Sequence, residues 1–160
     1  MTIAVGESLP ETTFIQATGE GPKPTSSTAY FADKKVAFFS VPGAYTPTCS
    51  ARHLPGFVDH LDDLKAKGVD VVACTAVNDA FVLGAWAKSA NADGRIDMLA
   101  DGNGEFAEAI GLTMDGSKFG LGKRGQRWSM IVDHGKVTEL NVEEAGAFEV
   151  SSAEHLLSQL

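Results

Sequence analysis

The sequence contains two cysteines, and the first of them follows a turn whose residue types could activate a thiol. Residues 41–50 read VPGAYTPTCS, so two prolines and a glycine precede Cys49. Thr46 followed by Pro47 is typical of a helix start, because threonine can cap free backbone amides and proline suits the first helical position. Cys49 is then the third helical residue, where the helix dipole and amides without intrahelical partners favour a thiolate over a thiol. Since the thiolate is the reactive form of cysteine, this pattern predicts a nucleophile at Cys49.

The residues around Cys49 do not match the sequence patterns of several other kinds of cysteine site. A thioredoxin-like dithiol requires a second cysteine three positions later, but that position is Arg52. A tyrosine phosphatase requires an arginine six positions after the cysteine, and Pro55 stands there. Zinc usually takes four ligands, for which two separated cysteines are too few. His53 lies one helical turn from Cys49, so we interpret it as a histidine that bonds backbone near the sheet rather than as a papain-like catalytic base.

The rest of the chain predicts the elements that must hold this turn in place. Residues 35–41 and 69–77 are almost continuous apolar runs, which are typical of buried central strands. Between them, apolar residues at helical spacing predict a helix that stops at Gly68. Further patterns predict helices over 80–90, 105–111 and 151–160, a strand over 96–100, a hairpin over 127–142 and a loop or hairpin over 16–28. Strands that alternate with helices and end in a hairpin predict an α/β fold, with a central mixed sheet flanked by helices, in a single domain over residues 1–160.

Composition limits the classes of function. The formal net charge of −8 argues against nucleic acid as a partner, because phosphate binding requires a basic surface and the basic cluster at 122–127 is small. No apolar run is long enough to span a membrane, and the first residues lack the layout of a signal peptide. Two cysteines are also too few for a secreted disulfide scaffold. We therefore expect a cytoplasmic protein with no membrane or nucleic-acid partner.

Residues 41–50, the cysteine turn, also carry a family signature. Pro42, Thr46 and Cys49 match the P-x-x-x-T-x-x-C pattern of the peroxiredoxins. Residues 41–88 resemble the type II, peroxiredoxin-five-like branch of that family, within the thioredoxin-like superfamily. The likeness continues through LADGNGEFAEAIGL, RWSMIVDHGKVTELNVE and FEVSSAEHLLSQL. The resemblance implies a thioredoxin-like fold and a thiol peroxidase that reduces hydrogen peroxide and alkyl hydroperoxides. It also implies an enzyme without metal or organic cofactor, which an external thiol regenerates, and often a homodimer.

The resemblance further implies roles for four residues. Cys49 attacks the terminal peroxide oxygen and becomes a sulfenic acid. Thr46 turns its hydroxyl toward the sulfur and the peroxide, and Pro42 shields the sulfur from water. Arg127 occupies the position of the family's arginine and stabilises the thiolate and the developing oxyanion. Arg124 is the competing candidate for that arginine.

Three more residues are weaker candidates for a role in the site. Trp86 and Phe119 could form apolar walls of the peroxide pocket, although both residue types are more often plain packing residues. Asp101 resembles half of a calcium loop, but the spacing is incomplete and a turn is the better interpretation.

The second cysteine bears on how the enzyme is regenerated. Some members of the branch carry a resolving cysteine near the C-terminus, and residues 148–160 contain none. Cys74 lies inside the second apolar strand, where a buried inert cysteine is the ordinary interpretation, although some related proteins are assigned a resolving cysteine there. A disulfide between Cys49 and Cys74 would require the helix to unwind, unless the Cα atoms already lie within about 7 Å.

We therefore expect glutathione with glutaredoxin, or thioredoxin, to be the reductant. Two alternatives to a peroxidase stay open at this point. The first is a general thiol–disulfide oxidoreductase, and the second is a redox-sensing or holdase-like interaction protein without substantial turnover.

Overall fold

The computed structural model describes residues 1–160, which form nine strands and six α-helices. The strands are β1 (Thr13–Thr18), β2 (Gly21–Ser26), β3 (Lys35–Ser40), β4 (Val71–Ala76), β5 (Asp97–Ala100), β6 (Thr113–Asp115), β7 (Lys123–Gly125), β8 (Trp128–Asp133) and β9 (Lys136–Val142). The helices are α1 (Ser27–Phe31), α2 (Leu54–Asp59), α3 (Leu61–Ala66), α4 (Ala80–Ser89), α5 (Glu105–Ala109) and α6 (Ala153–Ser158). A π-helical turn spans Cys49–His53 directly before α2, and a 3-10 turn spans Ser117–Phe119.

Seven strands form one mixed sheet in the order β2-β1-β5-β4-β3-β8-β9, while β6 and β7 pair in a separate ribbon. The three central strands β3, β4 and β5 run parallel, and β1 and β8 join them antiparallel on either side. This topology confirms the predicted α/β fold with a mixed sheet. Ligands in such sheets bind beyond the carboxyl ends of the parallel strands, and the cysteine turn begins where β3 ends.

The strand β3 is buried on both faces, as its apolar run predicted. Alternate residues point to opposite sides of the sheet, so Val36 and Phe38 enter one hydrophobic cluster while Phe39 and Val41 enter the other. The second cluster includes Cys49 and buried side chains of α2, α3, α4 and α6. The helices on this face therefore pack around the cysteine.

The structure refines three of the predicted elements. The segment 16–28 belongs to the β1–β2 hairpin and the start of α1, and β2 accommodates Pro22 and Pro24 because it is an edge strand. The single helix expected over residues 54–68 is divided into α2 and α3, and the π-helical turn precedes it. The C-terminal helix α6 is capped by Ser152, whose hydroxyl accepts a hydrogen bond from the His155 amide. None of the helices combines the length and apolar character needed to cross a membrane.

Candidate active site

The turn after β3 places Cys49 at the start of the next helix. The helix begins at Pro47, so Cys49 is its third residue. From Cys49 to His53 the backbone is π-helical, a distortion that is frequent at functional sites. The Cys49 side chain has 0% of its surface exposed. Its sulfur is therefore surrounded by protein groups rather than by water.

Thr46 contacts this sulfur through its hydroxyl. Oγ1 lies 2.7 Å from Cys49 Sγ and 2.8 Å from the carbonyl oxygen of Gly43. A hydroxyl has one proton to donate and two lone pairs to accept with. When Cys49 is a thiolate the hydroxyl donates to sulfur, and when another donor approaches it can accept from that donor while donating to Gly43.

Arg127 reaches the same sulfur because of strand pairing. Its Nη2 donates to Cys49 Sγ at 2.9 Å, although the two residues are 78 positions apart in the chain. In the antiparallel pair of β3 and β8, Ser40 lies opposite Trp128. The residue after Ser40 and the residue before Trp128 are then neighbours, so Arg127 stands beside the cysteine turn. Its guanidinium is a permanent positive charge that stabilises the thiolate.

His53 holds the Arg127 guanidinium in place. Arg127 Nη1 donates to Nδ1 of His53 at 2.7 Å, and since arginine can only donate, that nitrogen carries no proton. The proton is on Nε2, which donates to the Ser151 carbonyl at 2.9 Å. Burial, and then the charge of Arg127, lower the pKa of His53 to about 3. The imidazole is therefore neutral. Its bond to Ser151 confirms the expected contact with backbone, and its contact with Arg127 is a further one that the sequence did not indicate.

Glu143 fixes the segment that supports His53. Its Oε2 accepts hydrogen bonds from the amides of Glu149, Val150 and Ser151 at 2.8, 2.9 and 2.8 Å, and from the Ser151 hydroxyl at 2.6 Å. Burial opposes ionisation of Glu143, but these hydrogen bonds outweigh it and lower the pKa of the carboxyl. A continuous series of contacts thus runs from Glu143 through Ser151 and His53 to Arg127.

Phe148, in the same segment, lies between cationic groups. Its ring centroid is 4.7 Å from the guanidinium carbon of Arg52 and 5.8 Å from that of Arg127. The ring of His53 is 4.9 Å away, centroid to centroid. The face of an aromatic ring attracts a guanidinium group, so Phe148 restrains both arginines. Because Arg52 is exposed, the positive charge of the site extends to the surface.

Two side chains from distant elements anchor the cysteine turn. Arg124 Nη1 donates to the carbonyl of Pro42 at 3.2 Å, and Asn78 Oδ1 accepts from the amide of Ala44 at 2.9 Å. A Cβ at position 43 would lie 2.8 Å from Arg124 Nη1, so a larger residue there would displace this guanidinium from Pro42. Arg124 thus bonds the backbone of the turn, and the arginine on the sulfur is Arg127.

The remaining sequence candidates lie away from the sulfur or have structural contacts. Trp86 is buried in the core, and its Nε1 donates to the hydroxyl of Ser50 at 3.0 Å. Phe119 is 81% exposed, so it does not wall a buried pocket within this chain. The two carboxylate oxygens of Asp101 accept from two amides of α5 at 3.0 and 2.9 Å, which agrees with its interpretation as a turn residue. Pro42 is half-buried in the turn itself.

Cys74 lies in β4, and its side chain enters the same hydrophobic cluster as Cys49. Both cysteines are buried and free. Burial, and then the neighbouring Cys49, raise the pKa of the Cys74 thiol well above its ordinary value. A thiol that stays protonated and out of contact with solvent is a poor nucleophile.

The wider surface offers no comparable cluster of reactive groups. No set of three or more His, Cys, Asp or Glu side chains has the arrangement of a metal site. An open cavity of about 600 Å³ lies between the β1–β2 hairpin and α4, and none of the residues around Cys49 lines it. This cavity is therefore separate from the site at the end of β3.

Sequence reasoning assigned no role to three residues that position the site. Asn78 anchors the turn, Glu143 anchors the segment after β9, and Phe148 contacts Arg127. Asn78 lies within residues 41–88, Glu143 is the last residue of RWSMIVDHGKVTELNVE, and Phe148 is the first residue of FEVSSAEHLLSQL. The segments that resemble the family therefore contain all three. Nothing in their local pattern distinguished them from ordinary surface residues.

The chemistry of the site follows from what surrounds the sulfur. A thiolate that is shielded from water and held by a hydroxyl and a guanidinium can attack a small electrophilic oxygen, while the same donors stabilise the anion that leaves. With a mixed sheet of this topology, the site defines a thiol peroxidase of the thioredoxin-like fold.

Comparison with known proteins gives the same class. The family model described as Redoxin matches residues 4–157. The chain is 48% identical over 165 residues to peroxiredoxin-2E-2, chloroplastic, of Oryza sativa subsp. japonica, covering 99% of this chain and 73% of that protein. It is 45% identical over 159 residues to peroxiredoxin-2C of the same organism, covering 99% and 98% of the two chains.

A solved peroxiredoxin structure is also similar to this chain. The crystal structure of reduced Prx3 from Vibrio vulnificus in complex with H2O2 matches this fold with a TM-score of 0.95 and 52% identity, over 99% of each chain. The chain belongs to the Redoxin family and is a peroxiredoxin, as the resemblance implied. Its activity is that of a thiol peroxidase.

Proposed function

We propose that this peroxiredoxin reduces hydrogen peroxide and alkyl hydroperoxides at Cys49, with Thr46 and Arg127 as catalytic partners and Pro42 as a shield against water. The proposal is supported chiefly by the Thr46 hydroxyl and the Arg127 guanidinium, which both lie within 2.9 Å of one buried sulfur. It is also supported by the relative from Vibrio vulnificus, whose crystals contain H2O2.

The reaction begins with attack of the Cys49 thiolate on a peroxide oxygen. The S–O bond forms as the O–O bond breaks, and the leaving hydroxide or alkoxide takes up a proton and departs as water or alcohol. Arg127 stabilises the thiolate and then the developing oxyanion. Thr46 can accept from the peroxide O–H while it donates to Gly43, whose carbonyl is 2.8 Å away. The product at Cys49 is a sulfenic acid.

Regeneration requires a thiol, and we propose that this thiol is external. Glutathione with glutaredoxin, or thioredoxin, would attack the sulfenic sulfur and form a mixed disulfide at Cys49. The burial of Cys74 and its raised pKa support an external source, because both features disfavour Cys74 as the attacking group. No metal or organic cofactor takes part in this scheme.

The proposal is tested by peroxide consumption with each reductant in turn. Cys49→Ser should abolish turnover, whereas Cys74→Ser should keep most of it with a glutaredoxin system. Wild-type protein given one equivalent of peroxide in the presence of glutathione should gain the mass of one glutathione, mapped to Cys49. A dominant intramolecular Cys49–Cys74 disulfide without added mass would refute external regeneration and leave the peroxidase activity standing.

A further inference from the structure

Arg52 is an exposed cation that peroxide reduction leaves without a role. Of the 13 Lys and Arg side chains, only Lys123 forms an ion pair in the structure. Arg52 has none, and it differs from the other exposed cations without an ion pair by its place near Cys49. Its guanidinium lies instead over the ring of Phe148, with its central carbon 4.7 Å from the ring centroid.

The position of Arg52 connects the surface with the reacting sulfur. Phe148 also lies 5.8 Å from the guanidinium carbon of Arg127, and Arg127 donates to Cys49 Sγ at 2.9 Å. Arg52 itself is three residues after Cys49, in the π-helical turn. A ligand held by Arg52 would therefore lie close to Phe148, whose ring also contacts the arginine on the sulfur.

The chemistry of this group selects its ligand. A guanidinium donates two parallel hydrogen bonds to a carboxylate, and stacking on Phe148 restrains it in advance, which reduces the entropy lost on binding. Hydrogen peroxide is small and uncharged, so it gains much less from such a group than a carboxylate does. The thiol that regenerates Cys49 has to reach a sulfur with 0% exposure, and Arg52 is an exposed cation three residues along the chain.

We propose that Arg52, stacked on Phe148, binds a carboxylate of the thiol reductant, and that glutathione is this reductant. The inference rests on the proposed regeneration by an external thiol and assigns it a docking group. Glutathione fits because it carries two carboxylates and one thiol on a short flexible chain.

The step that Arg52 assists is the reduction of the sulfenic acid. The glutathione thiolate attacks the Cys49 sulfur, the S–S bond forms as the S–O bond breaks, and the hydroxide that leaves is protonated to water. Cys49 is reduced from the sulfenic to the disulfide state as the glutathione sulfur is oxidised. A second thiol then attacks the glutathione sulfur and releases the Cys49 thiolate.

The test compares glutathione with its diethyl ester, in which both carboxylates are blocked. Protein treated with one equivalent of hydrogen peroxide is mixed with either thiol at equal thiolate concentration, and the mixed disulfide is followed by quenched-flow intact mass. We expect wild-type protein to react about fivefold faster with glutathione, a preference that falls as salt is added. In Arg52→Gln the two rates should become nearly equal, with Arg52→Lys intermediate. Arg95→Gln, at an exposed arginine elsewhere, should keep the full preference.

The outcomes distinguish a failure of the proposed role of Arg52 from a failure of external regeneration. An unchanged preference in Arg52→Gln, or equal rates for the two thiols in wild-type protein, would overturn the role of Arg52 while external regeneration stands. If oxidised wild-type protein takes up neither thiol, external regeneration fails and the docking group fails with it.

Discussion

The imidazole of His53 has no exposed surface and meets a partner at each of its nitrogens. Burial, and then Arg127, lower its pKa from 6.5 to about 3. A proton on Nδ1 would face the Nη1 donor of Arg127, so protonation would break the contact that orients the guanidinium. The neutral histidine is therefore part of the geometry at Cys49.

This pKa predicts how stability depends on pH. Between about pH 6.5 and 3 the unfolded chain binds a proton at His53 that the folded chain does not. His53 thus makes the free energy of unfolding fall as pH falls, by about 1.4 kcal/mol for each pH unit in that range. His53→Gln keeps an acceptor for Arg127 and a donor for Ser151, so this variant should fold. Its free energy of unfolding should lack the part of the acid-side decrease that His53 causes. Urea unfolding of both proteins from neutral to acidic pH measures the difference.

His60 provides a control of opposite sign. The hydrogen bond with Asp63, and then the nearby Glu154, raise its pKa. Its stabilising contribution is present at low pH and is lost as pH rises through the folded-state value. The free energy of unfolding of His60→Gln should therefore still decrease on the acid side, as in wild-type protein. Equal acid-side slopes in wild-type protein and His53→Gln would contradict the role of His53.

At the scale of elements, the cysteine turn depends on strands that are remote in sequence. Residues 41–46 of this turn lie in neither a helix nor a strand. Tyr45 adopts a left-handed φ of 66°, which is uncommon for a residue other than glycine. Such conformations persist where the surroundings hold them. Here Arg124 in β7 and Asn78 before α4 bond the turn backbone on both sides of Gly43. The position of the Thr46 hydroxyl is therefore set partly by β7.

We expect Arg124→Met to lower the second-order rate constant of Cys49 with hydrogen peroxide roughly tenfold, because small displacements of a catalytic group cost rate. Stopped-flow measurement of Cys49 oxidation gives this rate constant. In a Thr46→Val background the same change should cost little, since the group that Arg124 positions is already gone. The control is Lys123→Met, which removes an exposed charge from the same strand. Equal losses in the two backgrounds would mean that Arg124 acts on general stability and not through Thr46.

At the scale of the whole molecule, two exposed aromatic side chains bear on assembly. Tyr45 in the cysteine turn is 54% exposed and Phe119 in the 3-10 turn is 81% exposed. Arg124 joins the two regions, because it follows the 3-10 turn and bonds the cysteine turn. Large exposed apolar side chains often mark contact surfaces, and two-fold dimers are the commonest assemblies. We propose that these residues lie in a homodimer contact.

Sedimentation at micromolar concentration should therefore give a dimer of the 16.8 kDa chain. Phe119→Glu should shift it to the monomer, because a carboxylate would be buried in the contact. Phe81→Glu is the matched control, since Phe81 is 75% exposed but lines the cavity beside α4. A monomeric wild-type protein, or a dimer that persists in Phe119→Glu, would exclude this contact.

Much of the fold could be predicted because its signals are local. The apolar runs of β3 and β4, the turn between β8 and β9 and the spacing of α4 each follow from residues within one element. Cys49 could be identified in the same way, since the helix start at Thr46 and Pro47 is read from adjacent positions. The family resemblance added Arg127, which no local pattern distinguishes from Arg124.

The tertiary structure decided what depends on the path of the chain through space. The register of Ser40 with Trp128 places Arg127 at the sulfur and leaves Arg124 to bond Pro42. The neutral state of His53 could not be predicted, because it follows from complete burial between Arg127 and a carbonyl 98 positions away. Composition and periodicity specify which face of an element is apolar, and they therefore determine the core. They do not specify which polar groups meet across elements, because strand register and helix breaks determine those distances.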